Sequence, residues 1–161
     1  MKTAIMGWWE ERKRTIWLIL GLILVTQLFC KPVLVNGVSM YPTFHDRDYL
    51  FMTRVSSIDR GDIVVFRSPL PDHPLLIKRV IGKGGDHILI RDGSVYVNGK
   101  KQPWDVPTWG EVDVKVKQGT YFVLGDNRLN SLDSRSPDVG LVTKEELVGE
   151  VWMRLYPLTF Y

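Results

Sequence analysis

Cysteine is nearly missing from this chain of 161 residues: Cys30 stands alone, so no disulfide can close within the chain. A zinc site built on several thiolates is excluded for the same reason. Histidine is scarce as well, and His45, His73 and His87 lack the i, i+4 spacing of a metalloprotease helix. No metal and no cofactor is therefore expected. Charge of one sign is not in excess either. Lys and Arg number 21 against 18 Asp and Glu, for a net +3. Two of those three charges sit in the first fourteen residues, where Lys2, Arg12, Lys13 and Arg14 face only Glu10 and Glu11. The rest is close to neutral and carries no electrostatic footprint for nucleic acid. Hydrophobic residues make up 45% and charged residues 24%, which excludes a disordered or low-complexity chain.

Long apolar runs are missing too, with one exception. Ile16 to Cys30 reads IWLILGLILVTQLFC without a charge. As a helix at ~1.5 Å per residue it reaches roughly 22 Å, short of the ~30 Å hydrocarbon layer. Trp8, Trp9 and Trp17 can sit at the interface, while Arg14 and Lys31 snorkel. A cleaved leader would end on a small-x-small site, but this run ends Gln27-Leu28-Phe29-Cys30-Lys31-Pro32. The expected organisation is a cytoplasmic tail over residues 1–15, a transmembrane anchor over 16–30, and an extracytoplasmic domain over 31–161. The excess of basic residues before the run sets that orientation.

Beyond Pro32 the signal is β. Short apolar runs at Tyr49–Arg54, Ile63–Arg67, Leu75–Ile81, His87–Arg91, Ser94–Val97, Thr120–Leu124 and Glu150–Tyr156 read as strands, and alternating Val112, Val114 and Val116 as a half-buried one. Asp92-Gly93 and Asn98-Gly99 are tight-turn pairs that need positive φ. One helical signal stands outside the apolar run, the capping box Thr143-Lys144-Glu145-Glu146. The fold class is mostly β, one compact domain behind one amino-terminal helix.

Three constellations stand out. Ser39 lies in Asn36-Gly37-Val38-Ser39-Met40-Tyr41-Pro42-Thr43, where a serine among glycine and proline is either turn chemistry or an exposed nucleophile. Lys78 lies in Leu75-Leu76-Ile77-Lys78-Arg79-Val80-Ile81, apolar on both faces. Either the two cations snorkel at an edge, or Lys78 is desolvated and its pKa falls toward general-base range. Gly125 to Arg135 reads GDNRLNSLDSR, either a polar surface loop or a network that fixes a neighbouring group. The glycines of Gly82-Lys83-Gly84-Gly85 lead into a strand rather than a helix, so nucleotide binding is set aside.

Taken together, these segments resemble the bacterial type I signal peptidases, membrane serine proteases with a Ser/Lys dyad. The resemblance rests on Gly37–Thr43, Gly61–Phe66, Ile77–Gly82 with Gly85-Asp86, and Gly125–Arg135, in family order over residues 15–156. It implies a signal-peptidase-like β-rich catalytic domain, with Ser39 as nucleophile and Lys78 as general base. Ser131 would hydrogen-bond and orient the lysine, Asp133 and Arg135 would form a supporting pair, and Asp126 and Asn127 would shape the loop. Met40 and Ile77 are candidates for the substrate pocket. The backbone N–H of Ser39 would be one oxyanion donor. Gly37 stands where many members carry a hydroxyl, so a main-chain N–H or a water in the Gly37 region is expected to substitute. Lys83-Gly84 replaces an apolar-Pro pair. Endoplasmic-reticulum relatives have histidine where this chain has Lys78. The implied partners are preprotein signal peptides, cut after small-x-small sequences, and the lipid bilayer. Rival readings are a specialised peptidase with the same dyad and a catalytically dead tethered binding module. Trp104 and Trp109 flank a proline-stiffened segment that either contacts lipid or packs in the core.

Overall fold

The computed structural model describes residues 12–21, 30–53, 57–72, 74–103, 106–155 and 158–161. The chain divides into two units, Met1–Lys31 and Pro32–Tyr161. In the first, residues 12–21 form a helix with exposed side chains. The expected helix over 16–30 does not run to its end: Cys30 opens a strand, and residues 22–29 lie outside the described residues, as do Trp8 and Trp9. Among the described residues, no helix is long and apolar enough to cross a membrane.

Among the described residues twelve strands follow: β1 (Cys30–Leu34), β2 (Tyr49–Thr53), β3 (Ile63–Arg67), β4 (Leu75–Lys83), β5 (His87–Arg91), β6 (Ser94–Val97), β7 (Lys100–Lys101), β8 (Val112–Lys115), β9 (Thr120–Leu124), β10 (Val142–Thr143), β11 (Leu147–Arg154) and β12 (Thr159–Phe160). One sheet has the order β1-β2-β11-β3-β4-β9-β10, with β12 on β11; the other has the order β7-β6-β5-β8. β3 is buried on both faces, as an uninterrupted apolar run in a sheet centre should be. Its Ile63 and Val65 join one core with Met40, Phe44 and Leu50, and its Val64 and Phe66 join another with Val80 and Val123. β5 alternates instead, sending Ile88 and Ile90 inward to a third core with Val97, Phe122 and Leu124.

Turn chemistry behaves as the residues require. Asp92 and Gly93 sit at φ 49° and 73°, and Asn98 and Gly99 at 51° and 77°, the left-handed pairs that close a two-residue hairpin. The expected helix at Thr143–Glu146 is absent. Glu146 does reach back to accept the Thr143 N–H at 2.7 Å, half of a capping box, yet the segment is a turn between β10 and β11. Pairing of β11 with β3, Leu147 opposite Phe66, claims the residues the helix needed.

Candidate active site

Ser39 sits on the loop between β1 and β2, and that loop closes on itself. Val35 N–H donates to Asp48 O at 2.9 Å, Arg47 N–H to Val35 O at 2.8 Å, and Gly37 N–H to Asp46 Oδ1 at 2.8 Å. Met40 and Phe44 plug its underside into the first core. Lys78 comes from the first half of β4, opposite Val64 of β3. It is only 1% exposed, so the surface-snorkelling alternative fails. Lys78 Nζ and Ser39 Oγ are hydrogen-bonded at 2.6 Å. Burial pulls the Lys78 ammonium down from 10.5 to about 8, against the opposing pull of Asp133 and Asp126 and with a smaller contribution from Arg135. Such a group exists in useful amounts as the free amine near neutral pH.

The loop 125–135 brackets the Ser39 loop. Asn127 N–H donates to Ser39 O at 3.0 Å, and Asn127 Nδ2 donates to Val38 O at 3.1 Å. Asp126 takes both Arg79 Nε (2.8 Å) and Nη2 (2.6 Å) and accepts the Thr43 hydroxyl at 2.5 Å. Asp133, 1% exposed, is held by Arg135 through Nε at 2.8 Å and Nη2 at 2.9 Å and also accepts Gly125 N–H at 3.0 Å. Arg135 continues outward, donating to the carbonyls of Arg128 and Trp109. A buried carboxylate with this many charge-assisted donors fixes the loop backbone. Gly125 has no room for a side chain: a Cβ there would lie 2.1 Å from Ser131 Oγ and 2.5 Å from Ser39 O.

One expected hydrogen bond is absent. Ser131 Oγ is buried but makes no hydrogen bond, so the bond expected between Ser131 and Lys78 is not formed. Lys78 Nζ is turned to Ser39 instead. Gly37 holds φ at +92° and donates its N–H to Asp46 Oδ1. Nothing stands within 4 Å of a Cβ at position 37, so the obstacle to a side chain is the dihedral and not space.

Beside the Ser39–Lys78 pair lies a cavity of about 440 Å³, lined by Met40 and Ile77 among others. A second, of about 300 Å³, lies against Gly37, Val38, Asn130 and Leu132 and shares Asn36, Ser39, Leu76 and Lys78 with the first. The two form one cleft, with Ser39 and Lys78 on the lining of both halves. Trp109 is 72% exposed, which excludes the core alternative for it, whereas Trp104 lies outside the described residues. Among the described residues no group of three or more His, Cys, Asp or Glu side chains could hold a metal ion. Arg79 and Thr43 are the positioning groups that sequence reasoning left unassigned. An arginine beside the lysine on a buried strand calls for a carboxylate, and the Gly125–Arg135 loop supplies it.

The family described as "Signal peptidase, peptidase S26" matches residues 8–156. The chain belongs to that signal peptidase family. It is 35% identical to signal peptidase I of Bacillus amyloliquefaciens, over 93% of this chain and 86% of that protein. It is also 35% identical to signal peptidase I T of Bacillus subtilis (strain 168), over 92% and 85%. A crystal structure of a signal peptidase I from Enterococcus faecalis V583 is 28% identical, covering 59% of this chain and 97% of that one at a TM-score of 0.49. As a member of the signal peptidase family, the chain is a peptide-bond hydrolase. Its Gly85-Asp86 segment is architectural in this peptidase. Asp86 is buried, pairs with Arg60, and accepts from Lys83 N–H at 2.9 Å and Asn98 Nδ2 at 3.0 Å. Lys83-Gly84 is accommodated in the same turn, where Gly84 lies hard against Gln118 and Lys117.

Proposed function

We propose that the chain is a membrane-anchored serine endopeptidase that removes amino-terminal signal peptides from exported preproteins after a small-x-small sequence. Ser39 and Lys78 are its catalytic residues. The observation that carries this reading is the 2.6 Å contact between Ser39 Oγ and a buried lysine whose pKa has fallen to about 8. The neutral amine accepts the hydroxyl proton as Oγ attacks the scissile carbonyl carbon. A C–O bond forms and the carbonyl electron pair moves onto oxygen, where the Ser39 N–H donates to it. Collapse breaks the C–N bond, and Lys78 returns the proton to the leaving amine. Water then attacks the acyl ester with Lys78 again as base, which releases the signal peptide and restores Ser39.

The first half of β4 supports the binding of an extended peptide. Leu75–Lys78 pair with β3 on one side, whereas β9 pairs only with Arg79–Lys83. Among the described residues that leaves the other edge of Leu75–Lys78 open along the cleft for strand addition. Asp133, Arg135, Asp126 and Asn127 are positioning residues that hold the Ser39 loop. The apolar run that begins at Ile16, with basic residues before it, is the anchor and leaves the β-rich domain outside the cytoplasm. The exposed Trp109 indole is suited to the lipid interface.

The test is the full chain in detergent micelles, incubated with a preprotein and followed by mass spectrometry of the cut. Ser39→Ala and Lys78→Ala each abolish the cut, and the double variant is no worse than either. Lys78→Arg is inactive because guanidinium keeps its proton. An active Lys78→Arg enzyme overturns the dyad.

A further inference from the structure

The cleft beside Ser39 is uncommonly bare of charge. Among the described residues, only Asp72 and Lys78 bring an ionisable side chain to its larger half, and only Lys78 to its smaller half. In the reactive state Lys78 must be the free amine. The single formal charge then left on the described lining is the Asp72 carboxylate.

Asp72 stands on the β3–β4 connection, exposed and in no ion pair among the described residues. It is not among the charges that act on the base, which are Asp133, Asp126 and Arg135. Its effect on a substrate is therefore separable from any effect on the proton transfer. Position along the cleft follows from the strand. Leu75 lies roughly 10 Å from Lys78 at ~3.3 Å per residue, and Asp72 is three residues further along the chain. An extended peptide laid on the open edge of Leu75–Lys78 thus meets Asp72 roughly four to six residues from the scissile bond.

We propose that Asp72 is a specificity-determining residue, which favours a substrate with a Lys or Arg side chain about four to six residues from the cleaved bond and disfavours an acidic one there. This rests on the reading of the cleft as the peptide site. The attraction comes from an exposed carboxylate, so it is modest and falls as salt rises.

The experiment uses the full chain in neutral detergent micelles and a peptide series with a single Lys or Glu moved through the positions on both sides of the bond. The quantity read is the Lys:Glu ratio of kcat/KM within each enzyme, which cancels any loss common to all substrates. In the wild type the ratio peaks in one window at about three- to five-fold, the range of an exposed ion pair, and shrinks in 0.5 M salt. Asp72→Asn brings it to unity in that window, and Asp72→Lys inverts it. The same ratio in wild type and Asp72→Lys at every position overturns the proposal, as does a preference that salt leaves unchanged. Ser39→Ala, run beside them, keeps the two readings apart. A cut that survives Ser39→Ala condemns the dyad, whereas a flat ratio with a dead Ser39→Ala condemns only Asp72.

Discussion

The two sheets of this molecule handle polar groups in opposite ways. In the four-stranded sheet, β5 and β6 send Ile88, Ile90, Val95 and Val97 inward and leave His87 and Arg91 outside. Its core is apolar and its turns are local. The eight-stranded sheet carries Lys78 at its heart, and its 125–135 loop buries Asp133 and Arg128. A buried cation in a sheet centre weakens the fold, since desolvation penalises its charged form. One sheet is built to hold together, while the other holds a lysine in an environment that disfavours its charge.

The largest effect is expected at Lys78. Lys78→Met should lose more than about a thousand-fold in kcat/KM, as loss of a member of a catalytic unit does. The same variant should be more stable near pH 7, by up to about 3 kcal/mol for a shift from 10.5 to about 8. The sign is fixed by linkage. Between pH 8 and 10.5 the unfolded lysine holds a proton that the folded one has lost, so wild-type stability rises with pH through that window and the advantage of Lys78→Met fades. Denaturant melts at pH 7 and pH 10 check it. Wild-type activity should likewise climb as pH passes about 8.

Asp133→Ala is next. It strands Arg135 and the Gly125 N–H, and breaking a buried pair costs about 3–5 kcal/mol. Asp133 raises the Lys78 pKa, so any folded Asp133→Ala enzyme should have its pH–rate midpoint moved down, read from kcat/KM profiles. Gly37→Ser should lose about 1–2 kcal/mol because a side chain is forced to φ +92°, and its kcat tells whether the added hydroxyl aids the oxyanion. Ser131→Ala removes a buried oxygen without a partner, so its melting temperature should hold or rise slightly; a lowered kcat at that unchanged stability would establish a positioning role. In the other sheet, Ile88→Val should lose about 0.5–1.5 kcal/mol and leave kcat unaltered.

The same contrast explains what could be read from residues alone. β5, β6 and the Asp92-Gly93 turn were legible because each rests on neighbours in the chain: alternation, β-branching and a φ requirement. The desolvation of Lys78 was legible as an alternative, from its apolar flanks. Its partner was not, since Ser39 and Lys78 meet across 39 residues of chain and only the family resemblance paired them. Arg79–Asp126–Thr43 was illegible for the same reason, spanning 83 residues between Thr43 and Asp126. The Thr143–Glu146 turn was misread because a local capping signal lost to strand pairing with β3.

Gly125 has a consequence for how such a site can be altered. Ser131 Oγ and Ser39 O crowd the place where its side chain would begin. The Ser39 loop and the 125–135 loop are therefore in close contact at this glycine, and the fit between them depends on something small being left out. A single methyl at 125 would act as a spacer, prising the two loops apart while leaving every reacting atom intact. An engineer seeking a silent, correctly charged and chemically complete enzyme has that position as the handle, far less blunt than erasing Ser39 itself.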